Sequence, residues 1–231
     1  MPLKSIVQRL EDHQLTKELV ERTTREERLI LKGTSRTAKA LITTAMAKNL
    51  SNQMLIIVPT LEDASRWYSV LRNLGWNKSC IYPTSEGSPY DSIQVSSEIV
   101  WGQLQVLSEL LDNKTNNSIA IVATERSLQP HLPPIDYLKS KCIQIQVGDE
   151  IDLEELSIKL TKSGYVKSNK IDQEGTWSRR GDILDIYPVS SELPIRLELF
   201  GNELEKIKEF DPITQRSLDK VKEIYITPTG F

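Results

Sequence analysis

Two short apolar runs, Met54-Leu-Ile-Ile-Val58 and Ser118-Ile-Ala-Ile-Val-Ala-Thr124, constrain the fold of this chain most. Neither alternates apolar with polar residues, so a strand built from either has to be buried on both faces. Pro59 closes the first run. Helical patterns surround them. One covers 37–49. Thr60 can cap the next, in which Trp67, Val70, Leu71 and Leu74 share a face ending at Gly75. A third covers about 96–112 and carries Ile99, Leu104, Leu107, Leu110 and Leu111. Cys80-Ile81-Tyr82-Pro83 adds a short strand, and Ser85–Ser92 reads as a loop rich in Gly, Ser and Pro. Buried strands alternating with helices predict an α/β domain with a parallel sheet and helices on its faces.

The loop Gly33-Thr-Ser-Arg-Thr-Ala-Lys-Ala40 follows Leu29-Ile30-Leu31, which reads as a further strand, and leads into the helix at 37–49. That is the setting of a phosphate-binding loop, G-x-x-x-x-G-K-[ST]. Gly33 and Lys39 fit the pattern. Ala38 puts a methyl group where the backbone curls around phosphate, and Ala40 lacks the hydroxyl that would ligate magnesium. A working nucleotidase also needs an acidic residue after a second strand, and Ala123-Thr124-Glu125 does not supply that pattern. The expectation is a degenerate P-loop-like sheet with no catalytic residue. An ordinary turn bearing a surface lysine fits the same residues.

The pattern changes near residue 133. Pro133-Pro134 and a short helix lead into Lys141–Val147, which alternates with period two. One amphipathic helix follows at 152–163, capped by Asp152, and then only strands, at about 165–172, 182–187, 194–200, 203–210 and 221–226. The expected organisation is a helical segment at 1–26 (two polar-faced helices), an α/β domain at 27–137, and a smaller α+β module with an antiparallel sheet at 138–231.

Within that module, Ile195, Leu197 and Leu199 point one way, and Arg196, Glu198 and Phe200 the other. A phenylalanine beside Arg and Glu on a polar face is unusual, and Arg and aromatic residues are enriched in interaction hot spots. The alternative is a phenylalanine folded onto the Gly201-Asn202 turn beside a solvated Arg–Glu pair. Gly181 inside a strand-like run suggests a bulge or a close backbone approach. Simple parity sets Arg180 on the inward face with Leu184 and Ile186, unless Gly181 shifts the register. Asp211-Pro212 favours a turn.

Composition narrows the function. The 231 residues carry a net charge of −3 with a pI near 5.6, which does not fit a general nucleic-acid-binding domain. Two cysteines without a CxxC or a histidine cluster point to reduced thiols, with no metal site expected. The first fifteen residues do not read as a signal peptide, and no stretch approaches a membrane span, so a cytoplasmic protein is expected.

The segment WSRRGDILDIYPVSSELPIRLELFGNELEKIKEFDPITQRS resembles the N-terminal region of the bacterial transcription-repair coupling factors (Mfd) and, less closely, the excision-repair protein UvrB. LKGTSRTAKALI, SPYDS and the IVAT strand are similar to segments of the same family, so the resemblance covers most of 27–231. It implies a UvrB-like, non-catalytic module that binds UvrA, with Arg180, Arg196 and Phe200 at the contacting positions. It also implies a site masked by another domain until the motor engages stalled polymerase. By the same resemblance the chain is part of a longer protein. RNA polymerase and DNA would be met by other domains, and ATP and magnesium would serve a translocase motor outside these residues. UvrB proteins insert an aromatic-rich hairpin after the P-loop unit, and no run of tyrosines stands between 75 and 118. A residual nucleotide site or a damaged-DNA-binding surface are the competing readings.

Overall fold

The computed structural model describes residues 2–84, 97–111, 118–129 and 132–231. The expected loop at Ser85–Ser92, with its SPYDS segment, lies outside the described residues. Those residues fall into two compact units, one of 2–84 and 118–129, the other of 97–111 and 132–231.

The first unit begins with α1 (Pro2–Glu11) and α2 (Gln14–Thr24), the two helices expected there. Helix α3 (Arg36–Asn49), strand β1 (Met54–Val58), helix α4 (Leu61–Leu71), β2 (Lys78–Ile81) and β3 (Ile119–Thr124) follow. The strands form a parallel sheet in the order β1-β3-β2. Strand β3 is the central one and is buried along its whole length, as its unbroken apolar run requires. Strand β1 is at the edge. It buries Val58 and half-buries Met54 and Ile56, while Leu55 and Ile57 are exposed. The core joins Ala40, Val58, Ala64, Leu71, Leu74 and Val122. Thr60 caps α4 by accepting from the Asp63 amide, as its position before the apolar face predicts.

The strand expected at Leu29–Leu31 does not form. Residues 27–32 have no strand or helix, and Ile30 is 67% exposed. Three apolar residues between Arg28 and Lys32 are too few to be held in a sheet without a neighbour burying both faces. What precedes α3 is therefore irregular chain, not a strand entering a phosphate loop.

The second unit contains α5 (Ser97–Leu111), α6 (Ile135–Lys141), β4 (Ile143–Gln146) and α7 (Leu153–Lys162). Strands β5 (Val166–Lys167), β6 (Thr176–Arg180), β7 (Ile183–Tyr187), β8 (Ile195–Phe200), β9 (Glu203–Phe210), β10 (Ser217–Val221) and β11 (Glu223–Ile226) complete it. Strands β5 to β10 form one sheet in sequential order, antiparallel except for the β5–β6 pair. Strand β11 pairs with β4 in a separate antiparallel ribbon. The residue pattern predicts strands at 165–172 and 182–187 and does not mark β6. Only Val166–Lys167 of the first is extended, because Ser168–Asp172 turns away and its Ile171 is buried with Tyr187 and Phe210.

Asp152 caps α7 through the amides of Glu154 and Glu155. Leu153, Leu156 and Leu160 of this helix pack against Leu184, Ile186, Leu197 and Ile207. The sheet thus has an inner face closed by α7 and an outer face made of the alternate residues.

Candidate functional site

The outer face of the large sheet is fixed by its register. Arg180 of β6 stands opposite Ile183 of β7, Ile183 opposite Glu198 of β8, and Glu198 opposite Lys206 of β9. The neighbouring row is Ser178, Asp185, Arg196 and Lys208. Phe200 is one pleat beyond Glu198 on β8, opposite Glu203. Adjacent strands are about 4.8 Å apart, so Arg180 stands about 10 Å from the strand that carries Arg196 and Phe200.

The parity expected for β8 holds. Ile195, Leu197 and Leu199 are buried, Arg196 and Glu198 half-buried, and Phe200 exposed. The inward placement of Arg180 does not hold. Gly181 and Asp182 form a two-residue turn, so the hairpin pairs 180 with 183 and sets Arg180 beside Ile183, on the same face as Asp185. It is Arg179 that takes the inward parity, opposite Leu184, and it reaches Glu154 on α7 at 3.3 Å. Gly181 has a φ of +61° and makes the turn, not a bulge. The bulge of this sheet lies between Glu198 and Leu199.

Arg196 is held on two sides. Its Nε donates to Asp185 Oδ1 at 2.7 Å and its Nη2 to Oδ2 at 2.9 Å, a bidentate pair. The guanidinium also lies over the Phe210 ring, 4.9 Å from the centroid. The hydrogen bonding of Arg196 to Asp185 is the main cause that holds the Arg196 pKa above its already high ordinary value. Glu198 accepts two bonds from Lys208, at 2.6 and 2.8 Å. Arg180 donates from Nη2 to the Asn169 carbonyl at 2.9 Å. Phe200 is 78% exposed, and Ile183, opposite Glu198 on the neighbouring strand, is 38% exposed. The face therefore presents an apolar knob among charges already satisfied within the chain.

The turn after β9 is tightly bonded. Asp211 Oδ1 accepts from the amides of Ile213 and Thr214 and from the Thr214 hydroxyl. These bonds, led by those from Thr214, pull the Asp211 carboxyl below its ordinary pKa. Gln215 donates to the Ile171 carbonyl and so ties this turn to the loop that carries Ile171.

The other predicted group stands apart in the first unit. Ser35 caps α3 by accepting from the Ala38 amide at 3.2 Å, so that donor is already occupied. Arg36 bonds Asp63 at 2.8 Å. Ala40 is fully buried in the core, and Gly33 lies in the exposed bend before the helix. Lys39 borders a groove of about 390 Å³ whose other walls include Leu31, Met46, Leu50, Leu55 and Trp67. An apolar groove of this kind offers phosphate little. Neither Cys80 nor Cys142 forms a disulfide, and among the described residues no three His, Cys, Asp or Glu side chains gather as metal ligands. No helix among those residues is long and apolar enough to cross a membrane.

Asp185, Ile183, Phe210 and Asn169 were missed by the sequence reading. The rule that a two-residue hairpin pairs residues flanking the turn would have found Ile183 and then Asp185. Asn169 carries no such signal.

Residues 143–230 match the UvrB interaction domain family. The chain is 32% identical over 200 residues to the transcription-repair-coupling factor of Bacillus subtilis, which covers 86% of this chain and 17% of that protein. With the transcription-repair-coupling factor of Haemophilus influenzae it shares 29% over 191 residues, covering 83% of this chain and 16% of the relative. With that of Myxococcus xanthus it shares 32% over 146 residues, covering 63% and 12%. The chain thus spans about a sixth of the length of the first two of these relatives.

Proposed function

This chain belongs to the transcription-repair-coupling factor family, over a stretch similar to its N-terminal region, and from that premise we propose that it recruits UvrA to sites of stalled transcription. In this reading it works by binding and not by catalysis. The outer face of the β5–β10 sheet is the contact surface, and Arg180, Arg196 and Phe200 carry it. The observation that supports the reading most is Phe200, 78% exposed between pre-paired charges. A large aromatic left in water on a rigid strand is the kind of anchor that fills a partner's apolar pocket.

The rest of the reading concerns the whole protein. ATP and magnesium would serve a DNA-translocating motor elsewhere in the longer chain, and RNA polymerase and DNA would be met there too. These residues take no cofactor in this scheme, and the protein works in the cytoplasm. We read Gly33–Ala40 as an ordinary helix-start turn bearing a lysine, since no strand leads into it from residues 27–32. In support, Ala40 is packed in the core and the Ala38 amide is already capped.

Titration calorimetry of this chain against purified UvrA tests the proposal, with wild type beside Arg196→Ala and Phe200→Ala and the fold checked by circular dichroism. Binding by the wild type that both substitutions abolish is the expected result. Wild-type binding unchanged by either substitution would move the surface elsewhere. Magnesium-dependent ATP binding that Lys39→Ala removes would restore the nucleotide reading.

A further inference from the structure

We infer that Asp185 is a positioning residue for this interaction: it holds Arg196 in the single orientation in which the arginine can meet the partner. The inference rests on the proposed UvrA contact and adds a residue to it.

The geometry leaves little choice. A guanidinium has five N–H donors in one plane. Asp185 takes two of them, the Nε hydrogen and one on Nη2. The Phe210 ring covers one face of the plane. Of the three that remain, two form the end-on fork of Nη1 and Nη2, nearly parallel donors suited to a pair of acceptor oxygens. The arginine and aspartate side chains are only 22% and 14% exposed, so little solvent competes for the pairing.

The neighbours do not compete for Asp185 either. Lys208, opposite Arg196 on β9, is bonded to Glu198. Opposite Asp185 on β6 stands Ser178, which carries no charge. An arginine on a surface strand ordinarily samples many rotamers, and holding one of them on binding costs entropy. Asp185 and Phe210 meet that cost in the folded chain before the partner arrives. A carboxylate on the partner is accordingly met by an already fixed fork, not by a free bidentate edge.

A purely structural ion pair would stabilise the fold without affecting recognition, and a double-mutant cycle separates the two roles. UvrA affinity would be measured for wild type, Asp185→Asn, Arg196→Ala and the double variant, at a temperature where circular dichroism shows all four folded. Asp185→Asn keeps the side chain's shape and removes its charge. It is expected to weaken binding about tenfold, chiefly through faster dissociation, as loss of a preorganised charged contact does. In the Arg196→Ala background the same change is expected to have less than about a twofold effect, because Asp185 acts through Arg196.

Arg196→Lys is expected to bind as weakly as Arg196→Ala, since a lysine cannot form the fork. Wild-type affinity in Asp185→Asn, tighter binding, or an undiminished loss in the Arg196→Ala background would each overturn the inference while leaving the UvrA contact standing. Absence of binding by the wild type would overturn the contact, and the inference with it.

Discussion

Arg180 and Ile183 are direct partners across the turn that joins β6 to β7, and they project together from the face that carries Phe200. The turn has two residues, with positive φ at Gly181 and not at Asp182, the pattern of a type II′ hairpin. The glycine needs this conformation more than it needs space, because a Cβ added there would meet nothing within 4 Å. Gly181→Ala is therefore expected to cost about 1 kcal/mol, the backbone penalty of a left-handed conformation alone. Urea denaturation would measure it. A loss near zero would mean that the turn relaxes into another type and that the Arg180–Ile183 register is loosely set.

Phe200 contributes little to the fold. With 78% of its surface in water, truncation removes few contacts, and Phe200→Ala is expected to change stability by less than about 0.5 kcal/mol. The same substitution at a binding hot spot should cost about 2 kcal/mol or more of affinity. The combination of unchanged denaturation midpoint and lost UvrA affinity is the signature to look for. A large loss of stability would show that Phe200 packs within the fold instead.

Much of this was legible in the residues, for physical reasons that differ by element. The run Ile119–Thr124 announces a buried parallel strand because nothing polar interrupts it, whereas the same argument overstates Met54–Val58, which is parallel but lies at the sheet edge with Leu55 and Ile57 exposed. Asp152 and Thr60 announce helix starts because a side-chain oxygen before an apolar face has an amide to cap. The outward set of β8 followed from its period of two. What failed needed partners distant in sequence. Leu29–Leu31 has strand-like composition but pairs with no strand among the described residues. Arg180 was misplaced because parity was carried across a turn whose length decides it. Asp185 reads as a polar residue in a strand, and only the β7–β8 register shows that it faces Arg196.

Tyr165 ties the chain's last strand region to the core. Its hydroxyl donates to the Thr227 carbonyl at 2.8 Å, and the ring is 2% exposed. Burial pushes the phenol well above its ordinary pKa, so it stays a neutral donor at physiological pH. Tyr165→Phe keeps the ring and leaves a buried carbonyl without this donor, a change expected to cost about 1–3 kcal/mol. Denaturation of the two proteins would measure it, and a difference below about 0.5 kcal/mol would mean that water replaces the hydroxyl.

Glu174 should make stability depend on pH. It lines a cleft of about 670 Å³ with Glu98, Trp101 and Tyr187. Burial, and then the charge of Glu98, raise its pKa above the ordinary glutamate value. The folded state thus binds the proton more tightly than the unfolded chain. Above the folded pKa both states are ionised, and the folded one bears a desolvation and repulsion that solvent screens in part, because Glu174 is exposed at the cleft wall. As pH falls through that pKa the folded state takes up its proton first, and the penalty is relieved by the time pH drops below the unfolded value. Glu174→Gln removes the charge at every pH. It is expected to raise the melting temperature at neutral pH and to lose that advantage below about pH 4, where wild-type carboxyls are protonated. Glu98→Gln should act in the same direction, and the pair should give less than the sum of the two, since each removes the repulsion between them. Equal melting temperatures for wild type and Glu174→Gln at neutral pH would show that the carboxylate is as well solvated in the folded protein as in the unfolded chain.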